Sequence, residues 1–292
     1  IPHRFPRLSG ETMLKLTVRE IKASLGRWLA IFAIVALGVG FFCGLRLTKT
    51  AMLHTLDSYL DGHAMYDYRL ISTLGFTDED VEFFKEQDGV SAAEGARWRD
   101  VLCNVNGHVN SVLHAMSVPS RLNTVDLKSG RMPQAANECL ADAWIYGEDA
   151  IGQTIMLSDD NDADTLDAFS VHTFTIVGVA KSPLYINYER GTSSVGNGAV
   201  NAFFYVLPEV FTTDYYTDLY LTLSGASGGV YSEAYDSFIS SMEDTITALC
   251  EQRADARYQS LYQDARQTLD DARATLDEKQ TELADAKQKL LD

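Results

Sequence analysis

The chain has 292 residues, a net charge of −17 and 46% hydrophobic side chains, enough apolar material for a packed core and too much for a chain disordered throughout. The charge is unevenly placed: residues 1–50 carry eight Lys/Arg and two acids, a net of +6, which leaves −23 on the rest. So acidic a body repels phosphate backbones and excludes a nucleic-acid partner, while a basic start before an acidic remainder suits a chain divided between two compartments.

Residues 1–13 lack periodicity and end on Met13, a natural initiator, so they read as a leader or as upstream read-through. Over 14–27, Leu14, Val18, Ile21 and Leu25 recur on one helical face, with Lys15, Arg19 and Lys22 on the other. A basic amphipathic helix beside a membrane span lies in the cytoplasmic interface, its cations among anionic headgroups; the alternative is a plain extension of the span. From Trp28 to Leu45 (WLAIFAIVALGVGFFCGL) 18 residues pass without a charge, between Arg27 and Arg46. As a helix this run is about 27 Å long, and it crosses the hydrocarbon once the flanking arginines snorkel. A retained transmembrane helix over 28–47 is expected rather than a cleaved signal peptide. The run exceeds a signal's apolar region, and no small-x-small site precedes Arg46. Gly40 and Gly44 form a GxxxG pair, which lets a second membrane helix approach closely. Six Lys/Arg precede the span and two follow it closely, which places the amino terminus in the cytoplasm and residues from 48 outside.

Residues 48–230 read as one extracytoplasmic α+β domain. Residues 48–61 continue the helix, and Tyr68–Ser72 alternates as a strand. Thr77 with Asp80 three residues later has capping-box spacing for a helix that Gly89 ends. Strands over 97–105 and 108–118 flank Asn106-Gly107, a strong hairpin signal. Further strands are expected at 137–141, 153–158, 171–181, 200–207 and 216–223. Ser158–Asp167 (SDDNDADTLD) reads as a solvated hairpin tip, because it lacks the Gly and Glu positions of a calcium-binding loop. From Tyr231 the chain is helical to residue 292. Tyr262, Leu269, Leu276, Leu283 and Leu290 fall seven apart, with Ala265, Ala272, Lys279 and Ala286 three residues on. This is a coiled-coil seam, with Leu269, Ala272, Leu276, Leu283, Ala286 and Leu290 at its centre. Such a seam needs a second helix, either a returning arm of a hairpin cut off at Asp292 or a second copy of the chain.

Cys43, Cys103, Cys139 and Cys250 show no CxxC spacing, and with Cys43 in the apolar run an odd number remains. Buried thiols are the plain reading and a Cys103–Cys139 bridge the alternative. No phosphate-binding loop, GxSxG or HExxH occurs, and Cys103, His108 and His114 lack metal-ligand spacing. No catalytic, cofactor or metal residue is assigned.

Three stretches resemble the MacB/FtsX-like permease family of ABC transporters, whose ATPase is a separate domain or subunit. They are LKLTVREIKASLGRWLAIFAIVALGVGFF (14–42); Gly130-Arg131-Met132-Pro133, similar to that family's GR-x-P turn, followed by Glu138 and Ile151-Gly152-Gln153; and Phe174–Val179 (FTIVGV), like its F-x-V-x-G-V strand. The resemblance implies that Gly130, Arg131, Pro133, Gly152 and Gly178 form the fold, and that Arg27, Trp28 and Arg46 flank the span. It also implies a permease subunit that converts ATP hydrolysis elsewhere into movement of its outside domain. Implied substrates are amphipathic, such as antimicrobial peptides or lipoproteins. Implied partners are membrane lipid, an ABC ATPase subunit, a second permease copy and an extracytoplasmic partner at the coiled-coil tip. The long coiled coil departs from MacB and is similar to large Gram-positive permeases of this group. The rival readings are a single-span sensor or scaffold and an FtsX-like regulator of cell-wall hydrolases.

Overall fold

The computed structural model describes residues 10–105, 107–226 and 228–291, in two compact units divided after Leu56. The first unit is helical. Helix α1 (Gly10–Ala23) ends four residues short of the 14–27 expected, and α2 (Leu25–Gly62) begins before the apolar run. Ser24 makes the break. Its hydroxyl donates to the Glu20 carbonyl at 3.0 Å, and a serine that serves the preceding turn competes with the helix ladder. Trp28, Phe32, Leu37 and Phe41 are all exposed, and added Cβ atoms at Gly38, Gly40 and Gly44 would meet nothing within 4 Å. Left in water, each large apolar side chain forgoes about 1.5–3 kcal/mol of burial. Among the described residues α2 is the helix long and apolar enough to cross a membrane. Its polar groups are prepared for that: the Thr48 hydroxyl donates to the Gly44 carbonyl at 2.8 Å, and the Arg46 guanidinium lies over the Phe42 ring.

The second unit has an α+β fold with two sheets. In chain order its elements are β1 (Tyr68–Phe76), α3 (Asp78–Lys85), β2 (Val90–Ala96), β3 (Trp98–Val105), β4 (His108–Ser117), β5 (Asp126–Gly130), β6 (Glu138–Asp142), β7 (Thr154–Leu157), α4 (Ala163–Asp167), β8 (Thr173–Lys181), β9 (Ala202–Val206), β10 (Tyr216–Leu223) and α5 (Glu233–Leu291). The smaller sheet is antiparallel, in the order β1-β10-β2. One face packs Leu70, Ala93, Leu219 and Leu221 against Phe84 of α3 and Ile246 of α5. The larger sheet runs β5-β8-β6-β9-β4-β3-β7, and β7 also pairs with β8. Six strands therefore close on themselves into a ring without an edge, and β5 is paired on its outside with β8. Small residues (Ala115, Ala141, Ala202) alternate with Phe174 and Phe204 inside, so the barrel is filled by side chains.

Several expectations are corrected here. Strands β2 and β5 were not legible: VSAAEGA has one β-branched residue, Val90, and DLKSG has none, neither has an aromatic, and pairing with β10 and β8 makes them strands. Helix α3 ends at Lys85, not Gly89; the glycine (φ 88°) instead turns the chain towards β2. The capping box at Thr77 is present. In the hairpin between β3 and β4, Gly107 has φ 80°, and Asn106 lies outside the described residues. The acidic tip is no free loop. It contains α4, buries Ser158 and Thr165, and is tied to β3 by Asn161, which exchanges two 2.8 Å hydrogen bonds with Leu102. All four cysteines are free thiols; Cys103 and Cys139 lie inside the barrel, where burial pushes their pKa up.

A buried ion pair fixes the 182–201 connection onto the barrel. Arg190 and Asp142 are both fully buried, with Nε to Oδ2 at 2.5 Å and Nη2 to Oδ1 at 3.0 Å. The guanidinium also lies over the rings of Tyr185 and Phe203. Arg190→Met should cost about 3–5 kcal/mol, since it strands a buried carboxylate. Urea unfolding of the detergent-solubilised chain measures this, and adding Asp142→Leu should restore most of the loss.

Candidate functional site

Strand β8 is the point on which the motif residues converge. On one edge it pairs in parallel with β6, in the register Cys139↔Ile176 and then Leu140↔Gly178, so Val177 is an extra, bulged residue. The other edge is shared. Thr173–Thr175 pair with β7, and Gly178–Lys181 pair with β5. The changeover falls at Ile176–Gly178, where two turns close in. The Gly152 N–H donates to the Ile176 carbonyl at 2.8 Å, and the Arg131 N–H donates to the Val177 carbonyl at 3.0 Å.

Glycine is required there for two separate reasons. Gly130 has φ 82° and is paired directly with Gly178, and a Cβ on it would sit 2.6 Å from the Gly178 Cα. A Cβ on Gly178 would sit 2.7 Å from the Arg131 carbonyl oxygen. Gly152 has φ 91° but open space around it, so only its backbone angle demands glycine.

The turn from Arg131 to Glu138 is clasped by its own ends. Arg131 makes a two-pronged ion pair with Glu138, Nη1 to Oε2 at 2.7 Å and Nη2 to Oε1, and Nη1 also reaches the Met132 carbonyl at 3.1 Å. The Gln134 N–H donates to the same carboxylate at 2.8 Å, and Pro133 is buried beneath. The Arg131 hydrogen bonds, then that from Gln134, draw the Glu138 pKa down to about 2. Together these bonds clasp the turn and fix its shape.

The other singled-out residues lie elsewhere. Along α5, Ile239, Met242, Ile246 and Leu249 face the smaller sheet. Beyond them Tyr262, Leu269, Leu276 and Leu283 form an exposed stripe, with Leu283 70% exposed and Ala272 and Ala286 open beside it; the Leu290 side chain lies outside the described residues. Of the hairpin residues, Cys103 points into the barrel while His114 bonds Asp100 at 2.5 Å and stacks on Trp98. The ionic ties were beyond local pattern. Asp142–Arg190, Asp80–Arg253 and Asp218–Arg69 join residues far apart in the chain, and no spacing rule reports such pairs.

No family model matches the sequence, and no curated protein matches it. Among solved structures the chain is similar to the extracellular domain of the noncanonic ABC-type transporter YknZ from Gram-positive bacteria, at 14% identity and a TM-score of 0.34 over 53% of this chain and 76% of that one. It is similar to the periplasmic region of MacB from Actinobacillus actinomycetemcomitans, at 9% identity and a TM-score of 0.33 over 61% and 75%. A third is a permease-protein domain from Porphyromonas gingivalis, at 13% identity and a TM-score of 0.34 over 62% and 70%.

The glycines should rank by their surroundings. Gly152→Ala should cost about 1–2 kcal/mol for its backbone angle alone. Gly130→Ala should cost about 1–3 kcal/mol more, because it also drives a methyl into β8; denaturant midpoints of the two variants check the order. Because folding depresses the Glu138 pKa from 4.5 to about 2, its contribution is complete above about pH 4.5 and is lost as pH falls towards 2. The stability gap between the parent chain and Glu138→Gln should therefore close across that window.

Proposed function

We propose that the chain belongs to the permease subunit of a MacB/FtsX-type ABC transporter, with its amino terminus in the cytoplasm and its α+β domain outside. The observation that carries the reading is the changeover on β8. The three short stretches of family resemblance in the outside domain (130–133, 151–153 and 174–179) are separate in sequence, yet they meet at one bulge. They do so in a domain that follows a charge-free apolar helix with a basic leading flank. Stretches that meet in space make one structural device, whereas chance matches would scatter.

In this reading ATP is hydrolysed by a partner subunit, and this chain does conformational work on amphipathic cargo such as antimicrobial peptides or lipoproteins. The two packed sheets would move as bodies, since closed barrels and buried ion pairs have discrete arrangements and do not deform continuously. Arg27, Trp28 and Arg46 would sit at the two membrane faces, the cations among headgroups. Gly40 and Gly44 would receive a second membrane helix. The exposed stripe Leu269–Leu283 favours a second reading, a membrane-anchored scaffold or a regulator of cell-wall enzymes that acts through a coiled coil and moves no cargo.

Two measurements separate these. In intact cells a membrane-impermeant maleimide should label Ser91→Cys, and should label Lys22→Cys only after permeabilisation; the reverse pattern would sink the orientation. Purified from its own membrane in mild detergent, the protein should bring with it a subunit that hydrolyses ATP and carries a GxxxxGK[ST] loop. Recovery without any such subunit, at unchanged orientation, would favour the scaffold.

A further inference from the structure

Strand β1 is the outermost strand of the smaller sheet, with β10 as its single partner among the described strands. Edge strands invite another chain, and proteins blunt them with Lys or Pro. Tyr68–Phe76 contains neither; its one charged side chain, Arg69, is taken up by Asp218, and its register with β10 shifts between Ile71 and Phe76. Ile71 is 68% exposed and Leu74 40% exposed along this strand. Beside it lies a groove of about 370 Å3, walled on the far side by Cys250–Arg257 of α5 and lined with Leu70, Ile71 and Phe76. That volume is within the range of sites that hold a specific ligand, about 300–1,000 Å3.

Charge decides what the groove suits. Three arginines reach it. Arg69 is neutralised by Asp218 at 2.8 Å and Arg253 by Asp80 at 2.6 Å. Arg257 makes no ion pair among the described residues, and its Nε is buried without a hydrogen-bond partner. Glu251 is the other carboxylate on the wall, and its side chain is exposed. The body around it carries a net of −23 and repels anions elsewhere, but this apolar groove is lined by a guanidinium that no carboxylate pairs among the described residues, which favours an acceptor anion at that point. Arg is suited to a carboxylate by its fork of donors.

We propose that this groove takes an extended, acidic peptide segment of a partner protein, added as a strand to β1 with a carboxylate seated on Arg257. Main-chain bonds to β1 supply affinity, apolar side chains meet Ile71 and Phe76, and Arg257 supplies the choice of charge. The proposal does not depend on the transporter reading: a permease or a scaffold can carry such a groove.

The probe is a fluorescein-labelled hexapeptide of alternating valine and glutamate, titrated by polarisation against the full chain in detergent. Saturable binding is expected, weakened at least tenfold by Arg257→Gln and by Ile71→Asn, with α5 helicity checked by circular dichroism. The valine–lysine counterpart should bind at least tenfold more weakly. Strand addition has period two, so N-methylating one alternate set of amides should abolish binding while methylating the other set should leave it. Equal effects of the two methylated sets, or full competition by free glutarate, would overturn strand addition in favour of a small-carboxylate site. Equal binding of the two peptides would remove the role of Arg257. Absence of peptide binding together with a dimer that Ile71→Asn dissolves would assign the edge to a second copy of the chain.

Discussion

A strand has two edges, and β8 must satisfy three partners with them. The larger sheet depends on how that conflict is resolved. The edge opposite β6 is given to β7 for three residues and to β5 for four, and the transfer occurs across a bulge that leaves the Ile176 and Val177 carbonyls for two incoming turns. Without the transfer β7 could not bridge β3 and β8, and the barrel would be an open sheet with two unpaired edges. Gly178 makes the approach possible, since the Ser129 and Arg131 carbonyl oxygens occupy the space of its missing side chain. The Arg131–Glu138 clasp then holds the turn that the approach creates.

The smaller sheet is organised by different means, with charge used where the larger one uses register. Asp80 closes the capping box of α3 through Oδ2, which accepts the Thr77 N–H at 2.7 Å, and holds α5 through Oδ1, which accepts from Arg253 Nε at 2.7 Å. One buried carboxylate thus starts one helix and anchors another. Asp67 ties the end of β10 to α5 with neutral donors, accepting the Leu223 N–H at 2.6 Å and the Tyr235 hydroxyl at 2.7 Å. The root of α5 is therefore defined by named bonds at both ends of its packed stretch, over the apolar contacts of Ile239, Met242 and Ile246.

Period and punctuation made much of this legible. The charge-free run from Trp28, the Thr77–Asp80 box, the β3–β4 hairpin and the long heptad helix each carry their signal within one contiguous stretch of the chain. The strands from β6 to β10 were placed to within a few residues; β8, β9 and β10 carry runs rich in β-branched and aromatic residues. Strands β2 and β5 were not legible, because their stability comes from partners more than 40 residues distant in sequence. The motif around Gly130, Gly152 and Gly178 could be read as residues that form the fold. That they form it at one place could not be read, because register is a property of the assembled sheet. The groove beside Arg257 left no sequence trace at all: an arginine on a heptad helix looks the same whether or not an acid faces it.

Helix α5 has 59 residues, and at about 1.5 Å per residue the part beyond Arg257 extends roughly 50 Å from the sheet that holds its base. By geometry, a beam of that length is a lever arm. A tilt of about 5° at the Asp80–Arg253 joint, too small to break the ion pair, sweeps the far end through about 4 Å by the same geometry. Ångström-scale repacking in the smaller sheet would, on this geometry, become travel comparable to the width of a side chain at the tip. What the helix gains in reach it gives up in force, since displacement and thrust trade in proportion along any arm.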